Sequence, residues 1–542
     1  TQKTSRKYQV QSLDDDAYDR NSGDCRDTDS YNYEPMHTAT HLANPETEPR
    51  DRNYNSNLIG ALTYANIFAG KHAVNAQLMM RTYKNVLEGY QSSKRYLTYG
   101  GIANYIYDNR YAVQFTASYM GSDNYEPGSR YAFFPGVSVG WIASEEDFLK
   151  GENINLLKFR ASLGRSGQAE TGTRRYPYQS EYLQGGGYNF GTSQSYLQGV
   201  YESAAGNRNI KWEISDMLNI GVDFDLWNKK LYGQVDLFKE WRSNILVTRS
   251  TVPDMFGMAV PQDSYGKAET KGIELTLGHM GSVGKFNYFV EGMLTYNTNI
   301  ITEMDEIAPV YDYQARTGNR IGQAQIFMVS QLASDQSKIA TSHQDAIDNP
   351  DKYPYQGSIK LGNAIYKDQN GDRIIDSYDM VPYGYGDPFG APIPELIPSI
   401  KFGFEWKGFD ARVLLTAFLN RTVECRENMD YGFGWGGTAT HEVTNTWGYY
   451  TDDPNDPRNL NAKYPRLSTS FSANDRSYPR NQTSIWMRNG NFLSLRNVEI
   501  GDSLQEKLIA KLNMTKGRVD CRGDNLRAWS PLEIAFEPEN PN

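Results

Sequence analysis

The sequence predicts an all-β fold: an antiparallel transmembrane β-barrel of which about 14 strands are visible. Three observations predict it. Apolar and polar residues alternate along many segments, hairpin-length turns alternate with long polar stretches, and tyrosine outnumbers the other aromatic residues, with 39 Tyr against 22 Phe and 9 Trp. Tyrosine suits strand ends at a membrane surface, because its ring packs against acyl chains while its hydroxyl reaches water.

The clearest alternation runs from Tyr111 to Tyr119, where the odd positions are apolar and positions 114, 116 and 118 are polar. A two-residue period sends alternate side chains to opposite faces of a sheet. The pattern recurs at 157–163, 219–226, 273–277 and 400–406. Each segment alone would also fit a soluble β-sandwich. The connections between the segments distinguish a sandwich from a membrane barrel.

Those connections are short and long in turn. Nothing in a sandwich makes its two ends differ, whereas outer-membrane barrels have short periplasmic turns and long extracellular loops. The alternation therefore favours the bacterial outer membrane. Short turns are expected at 69–71, 108–110, 227–230, 281–284 and 407–409, and long polar stretches at 164–217, 241–270, 297–398 and 420–491.

The pattern divides the chain into an irregular loop segment (1–54), the barrel (55–530) and a tail (531–542), with the final strand expected to be missing. The chain contains no run of about 18 apolar residues, so no transmembrane helix is predicted. The visible strands come from seven paired segments, near 58–80, 102–119, 133–163, 219–239, 270–296, 400–418 and 492–526.

Charge and cysteine usage exclude several classes of function. The formal net charge of -10 argues against a nucleic-acid partner, whose phosphates require a basic surface. Cys25, Cys425 and Cys521 have neither metal-ligand spacing nor the density of a disulfide framework. The six histidines are scattered and form no catalytic or zinc pattern. The sequence thus predicts a protein that is not an enzyme.

Several blocks resemble the SusC/RagA family of TonB-dependent outer-membrane transporters. They are Gly121–Trp141, Leu157–Gly164, Asn209–Glu213 together with Asn219–Phe224, Lys271–Leu275 and Leu495–Gly501, all in the order in which the family has them. The resemblance implies a 22-stranded barrel, of which this sequence matches the later part. It also implies a plug domain and a TonB-contacting segment, neither of which is found in this sequence.

Two places depart from the family pattern. Asp502 stands where a Tyr is usual after Gly501, and Asp520-Cys521-Arg522 occupies a strand that is normally apolar. A charged side chain facing lipid near the middle of the membrane is costly, about 2 to 4 kcal/mol for Arg. The register of the last strands is therefore in question.

One motif predicts a structural calcium site. Asp368, Asn370, Asp372, Asp376 and Asp379 supply oxygen at positions 1, 3, 5, 9 and 12 of a 12-residue loop, and Ile374 supplies a backbone carbonyl at position 7. Arg373 replaces the usual Gly at position 6, and Asp379 replaces the longer Glu at position 12. The alternative is a solvated turn that only closes a long loop. No cofactor is otherwise required.

Aromatic residues in the last long stretch are candidates for substrate binding. Trp435, Trp447, Tyr449 and Tyr450 lie among glycines, and flat rings in such a loop can stack on sugar faces. The alternative is that these rings pack against a neighbouring loop or a lid protein.

The resemblance implies an outer-membrane nutrient importer that takes up glycan or peptide fragments with a SusD-like surface lipoprotein and energy from TonB. Its expected contacts are membrane lipid, the lipoprotein and the TonB complex, with a dimer of transporter–lipoprotein pairs as one arrangement. Two alternatives remain open from the residues alone: a passive diffusion channel, and a soluble all-β carbohydrate-binding or hydrolytic protein.

Overall fold

A computed structural model describes residues 54–86, 93–151, 153–170, 172, 174–192, 195–253, 255, 259–383, 393–424, 441–466, 483–504, 517–532 and 539. Within these residues the chain is almost entirely β, and one sheet of 14 antiparallel strands organises it. This confirms the predicted fold class and strand number. None of the described helices is long and apolar enough to cross a membrane.

The large sheet contains, in order across it, β1 (Tyr54–Phe68), β2 (His72–Val86), β3 (Lys94–Tyr107), β4 (Tyr111–Ser122), β5 (Tyr131–Ile142), β6 (Ile154–Gln168), β9 (Glu213–Leu226), β10 (Leu231–Thr248), β11 (Gln262–Val283), β12 (Phe286–Glu303), β17 (Leu396–Trp406), β18 (Phe409–Phe418), β21 (Phe492–Ser503) and β22 (Arg518–Trp529). Every neighbour in this order is also the next strand of the sheet along the chain, so the topology is a simple meander.

The remaining strands are short or lie in connections, and they pair two by two. They are β7 (Glu181–Phe190) with β8 (Ser195–Ala204), β13 (Gln325–Phe327) with β16 (Met380–Pro382), β14 (Val329–Leu332) with β15 (Ala364–Tyr366), and β19 (Thr422–Glu424) with β20 (Met487–Asn489). Two short helices, α1 (His343–Asp348) and α2 (Pro457–Leu460), lie in the same connections.

The turns of two to four residues all fall on one rim of the sheet, and the three longest connections all fall on the other, as the sequence predicts. One rim carries 69–71, 108–110, 143–153, 227–230, 284–285, 407–408 and 504–517; the other carries 87–93, 123–130, 169–212, 249–261, 304–395 and 419–491. The tightest turns use left-handed backbone. Asp108 and Asn109 have φ of 50° and 57°, the geometry that matches the twist of a two-residue hairpin.

The sheet has one apolar face, and that face is exposed. The register places Phe115 opposite Val137 and Val137 opposite Leu163, and further along the sheet it places Ile220 opposite Leu237. Phe115 and Leu237 are 59% and 54% exposed. Since no second protein layer covers these side chains in the described part of the chain, hydrocarbon is the medium that suits them.

One predicted loop is shorter than expected, because strands continue beyond the apolar residues. The stretch 241–270 was expected to be a loop, but β10 continues to Thr248 and β11 begins at Gln262. Cross-strand ion pairs stabilise this extension: Lys239 contacts Glu269 at 2.9 Å, and Lys267 pairs with Glu303. Lys267 and Glu269, which fall in the predicted loop, are therefore strand residues in water.

The hairpin β7–β8 lies inside the stretch 164–217, which the sequence predicts to be polar loop. Its first strand contains Gly185, Gly186 and Gly187 in succession, and glycine is depleted in strands. The composition therefore does not predict this hairpin, which the backbone pairing of β7 with β8 shows.

The last two strands resolve the doubt over their register. Cys521 faces Ile500, which belongs to the apolar face, whereas Asp520 and Arg522 face Gly501 and Glu499. Both charged residues of the Asp520-Cys521-Arg522 segment thus lie on the polar face. Asp502 is on the apolar face opposite Phe409, but it lies beside the turn 407–408, at the rim and not at mid-membrane.

An ion cluster on the polar face joins three strands. Arg160 of β6 donates to both oxygens of Asp236 on β10, at 2.6 Å each, and to Asp223 on β9 at 3.0 Å. The guanidinium crosses β9 above Gly221, where a Cβ atom would lie 2.7 Å from both Arg160 Cζ and Asp236 Oδ1. The contact therefore requires a residue without a side chain at position 221.

We expect Gly221→Ala to displace the Arg160 guanidinium from Asp236, which is only 3% exposed, and to lower the free energy of unfolding by roughly 1 to 3 kcal/mol. Urea unfolding of the protein in detergent micelles measures it. Gly164→Ala is the matched control, because a Cβ at this position on β6 meets nothing within 4 Å. Equal stabilities of the two variants would contradict the role given to Gly221.

Candidate functional site

The described residues of the connections 304–395 and 419–491 fold together into what we call the loop lobe. The backbone N–H of Val329 donates to Ser484 Oγ at 2.8 Å, and the N–H of Arg466 donates to the carbonyl of Gly362 at 2.8 Å. The lobe has its own apolar core, in which Phe327, Ala364, Tyr366 and Ile375 are at most 1% exposed, with a second cluster formed by Ala333, Ile339, Tyr353, Ile359 and Ile365.

Glu395 attaches the loop lobe to the rim of the large sheet. Its side chain is 3% exposed and accepts two hydrogen bonds from Arg320, at 2.6 and 3.0 Å. It also accepts from Thr298 Oγ1 on β12 at 2.7 Å and from the side chain of Asn420. One carboxylate thus binds Arg320 of the first connection to β12 and to Asn420, two residues after β18. Sequence reasoning missed it, because its partners on β12 and in the lobe lie 75 to 97 residues away.

The predicted calcium loop lies in this lobe between β15 and β16. The carboxylate of Asp368 accepts the backbone N–H of Gly371 at 2.7 Å and that of Arg373 at 2.8 Å. Asp372 accepts the N–H of Ile374 at 3.0 Å. The side chains that the motif assigns to a cation therefore cap backbone groups of a tight turn.

Arg373 makes the turn that a glycine usually makes at this position. Its φ is +69°, a conformation that is strained for a residue with a side chain. Its guanidinium donates to the carbonyls of Ala346 at 3.1 Å, Pro350 at 3.2 Å and Lys352. These bonds offset the strain and fasten the turn to the end of α1, so the substitution of Gly by Arg does not prevent the loop geometry.

Asp379 is fully buried and closes the loop. It accepts the N–H groups of Gln369 at 2.7 Å and Asp376 at 2.9 Å. Burial raises the pKa of Asp379, and the charges of Asp368 and Asp372 raise it further, against the two backbone hydrogen bonds. A nearby cation would relieve both effects.

In the present arrangement no three carboxylate, imidazole or thiolate groups of the described residues lie close enough to hold a metal ion. The loop is a hydrogen-bonded turn as it stands, which is the alternative that the sequence left open. Each carboxylate oxygen retains a free lone pair, so calcium binding after a small rearrangement stays a prediction.

The four aromatic candidates have different surroundings. Trp447 is 3% exposed; it packs over Gly362 and lies under the Arg466 guanidinium at 5.8 Å. Tyr449 and Tyr450 are 49% and 55% exposed and meet edge to face at 4.8 Å. Trp435 lies outside the described residues. Trp447 therefore serves the packing of the lobe here. The two tyrosine rings are exposed, although the Arg458 guanidinium lies over the Tyr450 ring at 5.0 Å.

Comparison with known proteins identifies the class. A family model described as "TonB dependent receptor-like, beta-barrel" matches residues 2–383. The chain belongs to this family of TonB-dependent receptor β-barrels and is an outer-membrane protein, as its sequence predicts.

Individual relatives specify the type. The chain is 28% identical over 346 residues to TonB-dependent receptor SusC of Bacteroides thetaiotaomicron, covering 62% of this chain and 32% of SusC. It is 23% identical to TonB-dependent receptor P3 of Formosa agariphila, covering 90% of this chain and 47% of that relative. These matches confirm the SusC/RagA type. The chain spans about half the length of the two curated receptors that it matches over most of its own length, P3 and P26 of Formosa agariphila.

The fold is also that of a solved transporter. The structure of the RagAB peptide transporter superposes with a TM-score of 0.66 at 16% identity, covering 90% of this chain and 53% of that chain. At this identity the likeness concerns the fold.

We expect calcium, if it binds residues 368–379, to slow amide hydrogen exchange there and chelation to reverse the effect. Asp368→Asn and Asp379→Asn should each abolish the response, because each removes a charged ligand. Asp335→Asn, a matched acidic residue of the same lobe outside this loop, is the control. If calcium does not change amide hydrogen exchange at 368–379 in the unsubstituted protein, these residues do not form a calcium site.

We expect Trp447→Ala to destabilise the loop lobe by roughly 3 to 5 kcal/mol, as loss of a buried Trp does, and to expose 441–466 to protease.

Tyr449→Ala and Tyr450→Ala should leave protease resistance unchanged and weaken sugar binding several-fold. Calorimetry with oligosaccharides measures the binding. If the two tyrosine variants bind sugars as well as the unsubstituted protein does, these rings are not substrate contacts.

Proposed function

We propose that the protein imports glycan or peptide fragments across the outer membrane, with energy from TonB. The observation that carries the proposal is a 14-stranded antiparallel sheet with an exposed apolar face and a polar opposite face, in a chain of the TonB-dependent receptor family. A polar face turned toward a passage supplies hydrogen-bonding groups to a hydrophilic solute. No bond of the solute needs to be made or broken.

We also propose that a SusD-like surface lipoprotein covers the loop lobe. The lobe presents apolar side chains to solvent: Ile307 and Val310 are 70% and 67% exposed. Next to them Tyr311 stacks on Tyr313 at 5.3 Å and meets Tyr378 edge to face at 6.0 Å. Exposed apolar and aromatic groups of this kind favour a protein partner. A dimer of transporter–lipoprotein pairs stays a prediction.

Two features bear on the choice between glycan and peptide. SusC and the Formosa agariphila receptors are named without a substrate, whereas the solved RagAB structures are named for peptide. In this chain the accessible rings of Tyr449 and Tyr450 suit sugar faces. We therefore rank glycan fragments first.

We expect cells that produce the protein to take up labelled oligosaccharides only when TonB is functional. Uptake that persists without TonB, or swelling of liposomes that contain the protein in neutral sugar solutions, would favour a passive channel instead.

Replacing Ile307 and Val310 by Ser should reduce co-purification of the lipoprotein. Replacing Ile347, another exposed apolar residue of the lobe, by Ser is the matched control.

A further inference from the structure

The polar faces of β1, β2 and β3 carry a concave patch near the rim of the long connections. We call it the tyrosine-pair site, and it is defined by Asn57, Arg81, Tyr83, Lys94, Tyr96 and Glu170. Tyr83 lies directly opposite Tyr96 in the strand register, and their rings stack at 5.7 Å with an interplanar angle of 22°. The adjoining cavity has a volume of about 370 Å³, enough for one or two sugar rings.

Arg81 is the unusual group of this site. Its Nε donates to Asn57 Oδ1 at 3.0 Å, and its guanidinium lies 5.9 Å from the centre of the Tyr83 ring. Within the part of the chain that the structure describes, no carboxylate lies within ion-pair distance of it. The guanidinium is exposed, and the Nη1 and Nη2 donors point to no described acceptor.

Two other cations of the polar face are paired with carboxylates. Lys94 of the same site contacts Glu170 at 2.9 Å; Glu170 also accepts the hydroxyl of Tyr96 at 2.5 Å. Arg160 is bound to Asp223 and Asp236. The chain has a net charge of -10. The unpaired guanidinium of Arg81, beside the uncharged rings of Tyr83 and Tyr96, therefore attracts an anionic group of a ligand locally.

The planar fork of a guanidinium matches a carboxylate better than it matches a hydroxyl. Around it the cavity offers hydrogen-bonding groups, from Asn85, Thr98 and the Tyr83 hydroxyl, and one aliphatic side chain, Met120. A peptide would require apolar pockets for its side chains, whereas a sugar presents hydroxyl groups at every carbon. The lining therefore fits a hydroxyl-rich ligand that carries one acid group.

We propose that the tyrosine-pair site binds a uronic acid residue of an imported oligosaccharide, with the sugar carboxylate on Arg81 and ring hydroxyls on the tyrosines and asparagines. This inference rests on the proposed import of glycan fragments and names their chemical class. The site lies on the wall of the sheet, away from the loop tyrosines, so it would act on a solute that has already entered.

The test is calorimetry on the full-length receptor in detergent with uronic acid tetramers of several linkages, their neutral methyl esters, and acidic tetrapeptides. We expect a tetrauronate to bind more tightly than its ester, and the difference to shrink as salt rises. Arg81→Gln should weaken tetrauronate binding roughly 10- to 100-fold and leave ester binding unchanged. Arg81→Lys should weaken tetrauronate binding less than Arg81→Gln does, because it keeps the positive charge.

Arg412→Gln is the matched control, because Arg412 is also an exposed arginine of the polar face with no ion pair among the described residues, but it lies on β18 opposite Glu499 and Gly403 and not beside the tyrosine pair. Equal affinities of the Arg81→Gln and Arg412→Gln variants, or no preference for any acid over its ester, would overturn the inference. Loss of tetrapeptide binding but not of tetrauronate binding in Arg81→Gln would overturn it in favour of a peptide site.

A parallel uptake assay separates this inference from the proposed function. Suppose that the unsubstituted protein takes up oligosaccharides in a TonB-dependent manner, and that the Arg81→Gln variant takes up acidic and neutral oligosaccharides equally well. In that case only the assignment of the tyrosine-pair site fails. If no oligosaccharide enters in a TonB-dependent manner, the proposed function fails with it.

Discussion

The structure depends on the pairing of backbone N–H and C=O groups where water is absent. In hydrocarbon each unpaired group costs several kcal/mol, so strands that cross the membrane must each have a neighbour on both sides. The meander gives each of the twelve strands between β1 and β22 a neighbour on both sides, and among the described residues β1 and β22 each have one neighbour. The alternation of apolar and polar residues, the turns at 108–110 and 407–408, and the position of the loop lobe all follow from that ladder.

Much of this architecture is predictable from the sequence because it is local. A two-residue period and a left-handed turn such as Asp108-Asn109 are encoded within a few residues. The limits of the strands were harder to predict, because a residue such as Lys267 or Glu269 is predicted to be in a loop until its partner on the neighbouring strand is known. The side on which Asp520 and Arg522 lie likewise depends on register with β21, which no single strand encodes.

The candidate site was only partly predictable for the same reason. The spacing from Asp368 to Asp379 indicates a turn with carboxylates on its inside, and the structure has such a turn. The spacing does not reveal that Arg373 compensates for its own strained backbone by hydrogen bonds to the end of α1. Nor can aromatic composition distinguish a buried ring such as Trp447 from the exposed Tyr450, since burial depends on Gly362 in another loop.

The joining of two loops into one lobe has a mechanical consequence. Because Glu395 holds the lobe to β12 and to Asn420, and Val329 and Gly362 tie the first loop to the second, neither loop can swing alone. Whatever displaces residues 441–466 also displaces 327–366. The described parts of the two connections therefore form one packed unit at the rim of the sheet, and separating them requires breaking these buried contacts.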